Sequence, residues 1–72
     1  MGSKRLIEVE VDVKMSTDKA VLVTQKDGTE AWVAFSLIKE LEGMLLPEIE
    51  EALESIEIIT IPEWTAIQKG LI

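Results

Sequence analysis

Histidine, cysteine and tyrosine are absent from this chain of 72 residues. Without His, the usual proton carrier near neutral pH is missing. Ser-His-Asp and Cys-His nucleophilic machinery is therefore impossible within one chain. Without Cys there is neither a disulfide nor a thiolate metal site, a usage that suits a reducing cytoplasm. The four glycines stand scattered at 2, 28, 43 and 70 and form no phosphate-cradling loop. No apolar run approaches the ~18 residues of a membrane span. The N-terminus lacks the apolar region of a secretory signal. Met1-Gly2-Ser3 reads as a cloning remnant, so residues 1–4 are expected to be disordered or tag-derived. Leu6 stands where myristoylation wants Ser or Thr. Basic residues are scarce, seven against fourteen acidic ones, for a net charge of −7. Nucleic acid rewards cations through counterion release, so a general nucleic-acid binder is disfavoured.

Apolar residues make up 47% of the chain, enough for a core and too many for the disordered class. The length allows one domain, residues 1–72, near the size where a single core is only marginally sufficient. No repeat, linker or low-complexity segment divides it. The acidity is uneven. Residues 1–35 hold five basic and six acidic groups, whereas residues 36–72 hold two and eight.

Residues 6–13 alternate strictly, with Ile7, Val9, Val11 and Val13 on one side and Glu8, Glu10 and Asp12 on the other. That period of two predicts a half-buried antiparallel strand whose charged face protects a sheet edge. Two β-rich runs, 19–26 and 29–35, flank Asp27-Gly28 and predict a hairpin with a two-residue type I′ turn. Paired residue numbers then sum to 55, setting Val23 opposite Trp32 and Val21 opposite Ala34, with Leu22 opposite Val33 on the other face. Both faces are apolar near the open end, so the ribbon wants cover on both sides.

Ser36 is placed to cap a short helix over 37–42, with Leu37, Ile38, Leu41 and Leu45 on its apolar side. Gly43 and Pro47 end it early. A second helix is expected over 47–55, with Pro47 in its first turn and Glu48, Glu50 and Glu51 near its positive end. Ile49, Ala52, Leu53 and Ile56 form its apolar stripe, and Glu50, Glu54 and Glu57 lie on another face. The two helices make an insert over 37–55. A last strand is expected over 56–60. Thr60 and Glu63 have capping-box spacing for a closing helix over 62–69, with Pro62 in its first turn, Trp64, Ile67 and Leu71 sharing a side, and Gly70 as its stop. The fold class read from this order is α+β: a small, strongly bent antiparallel sheet or partly open SH3/OB-like barrel of about four strands, with the helical insert and a short C-terminal helix.

Glu30-Ala31-Trp32-Val33, Ile61-Pro62-Glu63-Trp64 and Lys69-Gly70-Leu71 carry a resemblance. The chain resembles small uncharacterised phage and prophage proteins, which have a Gly-turn hairpin ending in Glu-x-Trp-Val/Ile and a closing Ile-Pro-Glu-Trp with Lys-Gly-Leu. The match covers roughly residues 19–36 and 58–72. In that group the hairpin Trp is often followed by a branched residue, Pro and Lys-Ser. Here Ala34-Phe35-Ser36 stands after Val33, so this loop departs from the group. The resemblance implies a phage-encoded accessory protein with a small barrel-like fold and no catalytic residues to carry over.

Ser36-Leu37-Ile38-Lys39 matches a bare Ser-x-x-Lys pattern, but the rest of that acyl-transfer machinery has no room here, and a helix cap followed by an exposed lysine accounts for it. Glu50, Glu54 and Glu57 are oxygen ligands of the kind that hold Mg²⁺ or Ca²⁺, yet a helix lacks the carbonyls and tight Gly turn of a calcium loop, and a solvated face is the plainer reading. No cofactor and no metal site follow, and an enzyme is not expected. Trp32 is either a sheet-face aromatic filling the core or a binding anchor. Trp64 reads as core. Seven glutamates between 40 and 57, joined by Glu8, Glu10 and Asp12, build a negative field that serves either solubility or complementarity to a basic protein. The expected function is non-enzymatic protein–protein binding through Trp32, Glu48, Glu50, Glu51, Glu54 and Glu57, with a homodimer plausible. The alternatives are an acidic nucleic-acid mimic that inhibits a host defence enzyme, and an OB-like binder of single strands stacking on Trp32.

Overall fold

The alternation that begins at Leu6 does not make one strand. In the computed structural model, which describes residues 5–72, it makes two: β1 (Leu6–Glu10) and β2 (Asp12–Ser16). The break falls at buried Val11, whose N–H donates to the Glu57 carbonyl at 2.9 Å. The chain bends there and changes sheets. β1 pairs with β5 (Ile58–Pro62), and β2 pairs with β3 (Ala20–Thr24), which pairs in turn with β4 (Glu30–Ala34). All pairings are antiparallel. The protein is therefore α+β, with five strands in two sheets rather than about four, and among the described residues no ladder joins β4 to β5. The expectation that residues 1–4 are disordered or tag-derived lies outside the described residues.

The hairpin register is one residue away from the expected one. Ala20 faces Ala34, Val21 faces Val33, Leu22 faces Trp32, and Val23 faces Ala31. Gln25 donates to the Thr29 carbonyl, and Gly28 donates back to the Gln25 carbonyl, both at 2.9 Å. The loop is thus Lys26-Asp27-Gly28, a turn over 25–28 closed by Gly28 at φ +92°. A type I′ turn needs positive φ at both Asp27 and Gly28, but no non-glycine residue among those described has one. The Asp27 side chain instead accepts the Thr29 N–H at 2.9 Å. That bond, with further help from the Thr29 side chain, holds the Asp27 carboxyl below its usual pKa. The packing reason is plain. The observed register puts Val21, Val23, Ala31 and Val33 on one buried face, whereas the two-residue turn would divide the valines between faces.

A second offset lies in β2. Val13 faces Val23 but Met15 faces Leu22, so Lys14 is an extra, bulged residue. Past the bulge the side-chain alternation reverses, and Met15 turns outward.

After β4 the expected helix over 37–42 is replaced by two 3₁₀ turns, Phe35–Leu37 and Lys39–Leu41, and Ser36 caps neither. They bury Phe35, Ile38 and Leu41. Helix α1 (Leu46–Leu53) follows, with Pro47 in its first turn and the Leu45 N–H donating to Glu48 Oε1 at 3.1 Å. Its expected stripe holds: Ile49 and Leu53 are buried, Ala52 and Ile56 half-buried against the core.

Thr60 does not cap the closing helix. It is a strand residue opposite Glu8, and Pro62 ends β5 rather than entering the helix. Thr60 gives its N–H to Glu40 Oε1 at 2.7 Å and its hydroxyl to Glu40 Oε2 at 2.6 Å. Helix α2 (Glu63–Gln68) buries Thr65 and Ala66, and leaves Trp64 and Ile67 exposed, so it is rotated from the expected face. Gly70 does stop it. At φ +74° it lets the Gly70 N–H reach the Ile67 carbonyl and the Leu71 N–H reach the Ala66 carbonyl, at 3.2 and 2.8 Å. The reversal drops Leu71 into the core, where its carbonyl accepts Gln25 Nε2 at 2.8 Å.

Two stability predictions follow from these contacts. Burial pushes the Glu40 carboxyl up, but its two bonds from Thr60 and the charge of Lys39 outweigh that and set its pKa below the ordinary value. A lowered carboxylate pKa stabilises the fold above the ordinary glutamate range and loses that contribution as pH falls through the lowered value. Glu40→Ala should cost about 1 kcal/mol at neutral pH, discounted for its exposed position. The gap from wild type, read as urea midpoint against pH, should close on acidification. Thr65 Oγ1 is fully buried and has no hydrogen-bond partner among the described residues. Thr65→Val should raise stability by about 1 kcal/mol, visible as a higher melting temperature.

Candidate functional site

The bulge at Lys14 and the three-residue hairpin loop act together on the outer face of the three-stranded sheet. Each shifts one strand by one position. Met15, Leu22 and Trp32 consequently become cross-strand neighbours in one row on the side away from the core. Met15 is 55% exposed and Trp32 40%, with Leu22 half-buried between them. Ala20 faces Ala34 in the next outward row. On the same face Lys14 Nζ meets Glu30 Oε2 at 2.7 Å, spanning from β2 to β4 across β3. Trp32 is thus a surface aromatic rather than the core residue that one of its two readings made it. Trp64, read as core, is also largely exposed, at 46%.

The glutamates divide into two places. Glu48, Glu50 and Glu51 lie on α1 and Glu54 caps its C-terminal end. All four are exposed, and among the described residues none is in an ion pair. Glu50 and Glu54 are four apart on a helix, a like-charge pair that destabilises it by about 0.2–0.5 kcal/mol. Glu54 also meets the negative end of the helix dipole. The charge at this end works against the helix, whereas Glu48 at its start supports it by accepting the Leu45 N–H.

Glu57 stands apart from that helix. It lies in the segment before β5, and with Glu10, Asp12 and Lys26 it lines a shallow cleft of about 240 Å³ at the bend of the first strand pair. Glu40, counted in the acidic field by sequence, is instead tied to Thr60. Among the described residues no three acidic groups converge to hold a metal ion. No helix among them is long and apolar enough to cross a membrane.

Trp32 and the α1 glutamates are candidates that the residue pattern singles out, whereas Met15 and Leu22 as neighbours of Trp32 are not. A bulge at Lys14 leaves no mark in the residue pattern, and without it Met15 continues the inward set of Val11 and Val13. Leu22 carried a signal, since it shares neither parity nor face with buried Val21 and Val23. Comparison with known proteins returns no matching family model, curated protein or solved structure.

Proposed function

We propose that this chain is a non-enzymatic accessory protein of the phage type that acts by binding another protein, with Trp32 as the anchor of the contact. The observation that carries the reading is the outward row of Met15, Leu22 and Trp32. Trp is enriched where interface energy concentrates, and a half-exposed Trp flanked by apolar neighbours has the surroundings of such an anchor. The absence of His, Cys and Tyr supports a role without chemistry. The resemblance of 19–36 and 58–72 to small phage proteins supports the accessory role.

The acidic helix favours a second reading of the partner. Glu48, Glu50, Glu51 and Glu54, with Glu57 beyond the helix, present uncompensated negative charge to a basic surface, such as the nucleic-acid face of a host defence enzyme. The barrel-like, OB-type reading with single strands stacked on Trp32 has weaker support, because the cation on that face, Lys14, is held by Glu30.

Affinity capture from host lysate, read by mass spectrometry with three baits, tests these readings. Trp32→Ala should cost less than the about 3–5 kcal/mol of a buried Trp truncation and remain folded. It should lose the captured protein by at least about tenfold, the loss of an interface anchor. Charge reversal of Glu50, Glu51 and Glu54 to Lys should abolish capture if the acidic helix makes the contact. Capture unchanged in Trp32→Ala overturns the anchor, and capture unchanged in the charge reversal overturns the acidic surface.

A further inference from the structure

β4 and β5 each lie at an edge of their sheet, as β1 and β2 do at the opposite edges, and the edges of β4 and β5 are finished differently. In β5 the bonds Val11 N–H to Glu57 carbonyl and Glu63 N–H to Arg5 carbonyl frame the ladder with β1. Odd-numbered residues therefore face β1, and Ile58, Thr60 and Pro62 direct their main chain outward. Glu40 covers the Thr60 N–H, and Pro62 has none. One outward donor is left, at Ile58. This edge is blocked by the devices that keep sheets from growing.

In β4 the frame is Gln25 N–H to Thr29 carbonyl and Phe35 N–H to Lys19 carbonyl. Odd-numbered residues face β3; Glu30 and Trp32 direct N–H and C=O outward, and Ala34 directs its N–H outward while its C=O opens the 3₁₀ turn Phe35–Leu37. Among the described residues nothing accepts those three N–H groups. The strand Glu30-Ala31-Trp32-Val33-Ala34 contains no Pro, no Lys and no bulge. Its outward residues Glu30 and Trp32 are exposed. Main-chain donors and acceptors alternating at strand spacing recognise one thing, another extended strand.

We propose that β4 is a strand-addition edge and that its occupant is β4 of a second copy, antiparallel about a two-fold axis at Trp32. This goes beyond the function proposed above, because it uses the strand's edge rather than the sheet's face and needs no foreign partner. Three features select a second copy. The centred register sets Trp32 opposite the partner's Trp32 and Glu30 opposite the partner's Ala34, for about four main-chain hydrogen bonds. No carboxylate then faces a carboxylate across the axis, and Lys14 already neutralises Glu30. The row Met15, Leu22, Trp32 runs up to this edge and continues through the axis into the second copy's row, so the apolar face doubles instead of ending at water.

Five residues a side make a small contact, so the dimer is weak, with a dissociation constant on the order of 10–100 µM. Each copy carries −7, so salt screens their repulsion and tightens the dimer. That sign is opposite to the salt weakening expected for an acidic helix on a basic partner, which keeps the two proposals separable.

Sedimentation velocity on the full chain from about 5 µM to about 1 mM, a range bracketing that constant, is the test. The blocking variant is Ala34→Pro. Ala34 has φ −64° and ψ 139°, which proline adopts without strain, and its N–H bonds nothing. Wild type should pass from monomer to dimer and do so more readily at high salt. Ala34→Pro should stay monomeric, with an unchanged or higher melting temperature at the dilute end. Exchange of the Trp32 and Ala34 amide protons should slow with concentration in wild type alone. Wild type monomeric throughout, a dimer persisting in Ala34→Pro, or concentration-independent exchange at Trp32 each overturns the proposal. If Ala34→Pro fails to fold, Trp32→Lys supplies the same comparison.

Discussion

The register of one hairpin governs everything else in this molecule. Asp27 holds the Thr29 N–H, Gly28 takes the positive φ, and the loop becomes three residues long. That length places Val21, Val23 and Val33 on the same face, where each is fully buried. Burying one such side chain is worth about 1.5–3 kcal/mol. A slip of one residue would send part of that set to water, so the register is as strongly specified as any feature of so small a core. The tail then reads the same hairpin from the other end. Gly70 reverses the chain, Leu71 enters the core, and its carbonyl meets Gln25 at the foot of the loop.

The second constraint is the bend at Val11. A chain this short cannot build two separate sheets with their own connections, so one hydrophobic run serves both. The alternation of Ile7, Val9, Val11 and Val13 survives the bend and keeps apolar groups inward throughout. What changes is the partner: β5 before Val11, β3 after it. The bulge at Lys14 ends this regime by reversing which residues point in. Outer-face Met15 is a product of that reversal rather than of its own hydrophobicity.

These offsets show how far the residues alone could be read. The strand at the N-terminus, the hairpin, the stripe Ile49-Ala52-Leu53-Ile56, the late strand and the Gly70 stop were all visible, because each rests on a local period or a single backbone requirement. The misses are one-residue matters settled by distant partners. Asp-Gly serves both two- and three-residue loops, and only the shared burial of Val21, Val23 and Val33 chooses between them. Thr60 has the spacing of a helix cap, but its N–H and hydroxyl are claimed by Glu40, twenty residues upstream. The run after Ser36 has helical spacing, but Phe35, Ile38 and Leu41 reach the core from two tight turns. Of the candidate surface, Trp32 and the α1 glutamates were legible as residues. Their setting was not, since the face that Trp32 occupies depends on the hairpin register.

The same physics leaves the polar side chains of the described residues almost entirely outside the core. Among the described residues fifteen apolar ones form the buried core, and the one buried polar side chain, Thr65, neither donates nor accepts a hydrogen bond. Among the described residues that core holds no buried carboxylate or cation. The polar bonds that do occur lie outside it and serve the backbone: Asp27 shapes a turn, Glu48 starts a helix, Glu40 closes a strand edge, Gln25 ties down the tail. What these contacts leave unused is informative. The side chains of Glu50, Glu51 and Glu54, those of the outward Trp32 row and the outward N–H groups of β4 make no hydrogen bond among the described residues, and the pair Glu50 and Glu54 works against α1. A fold this close to the lower size limit gains nothing internally from a half-exposed Trp beside an open strand edge. Strand addition, as proposed, gives these features a common use: the edge of β4 is spaced for one more strand, and the Trp32 row lies beside it.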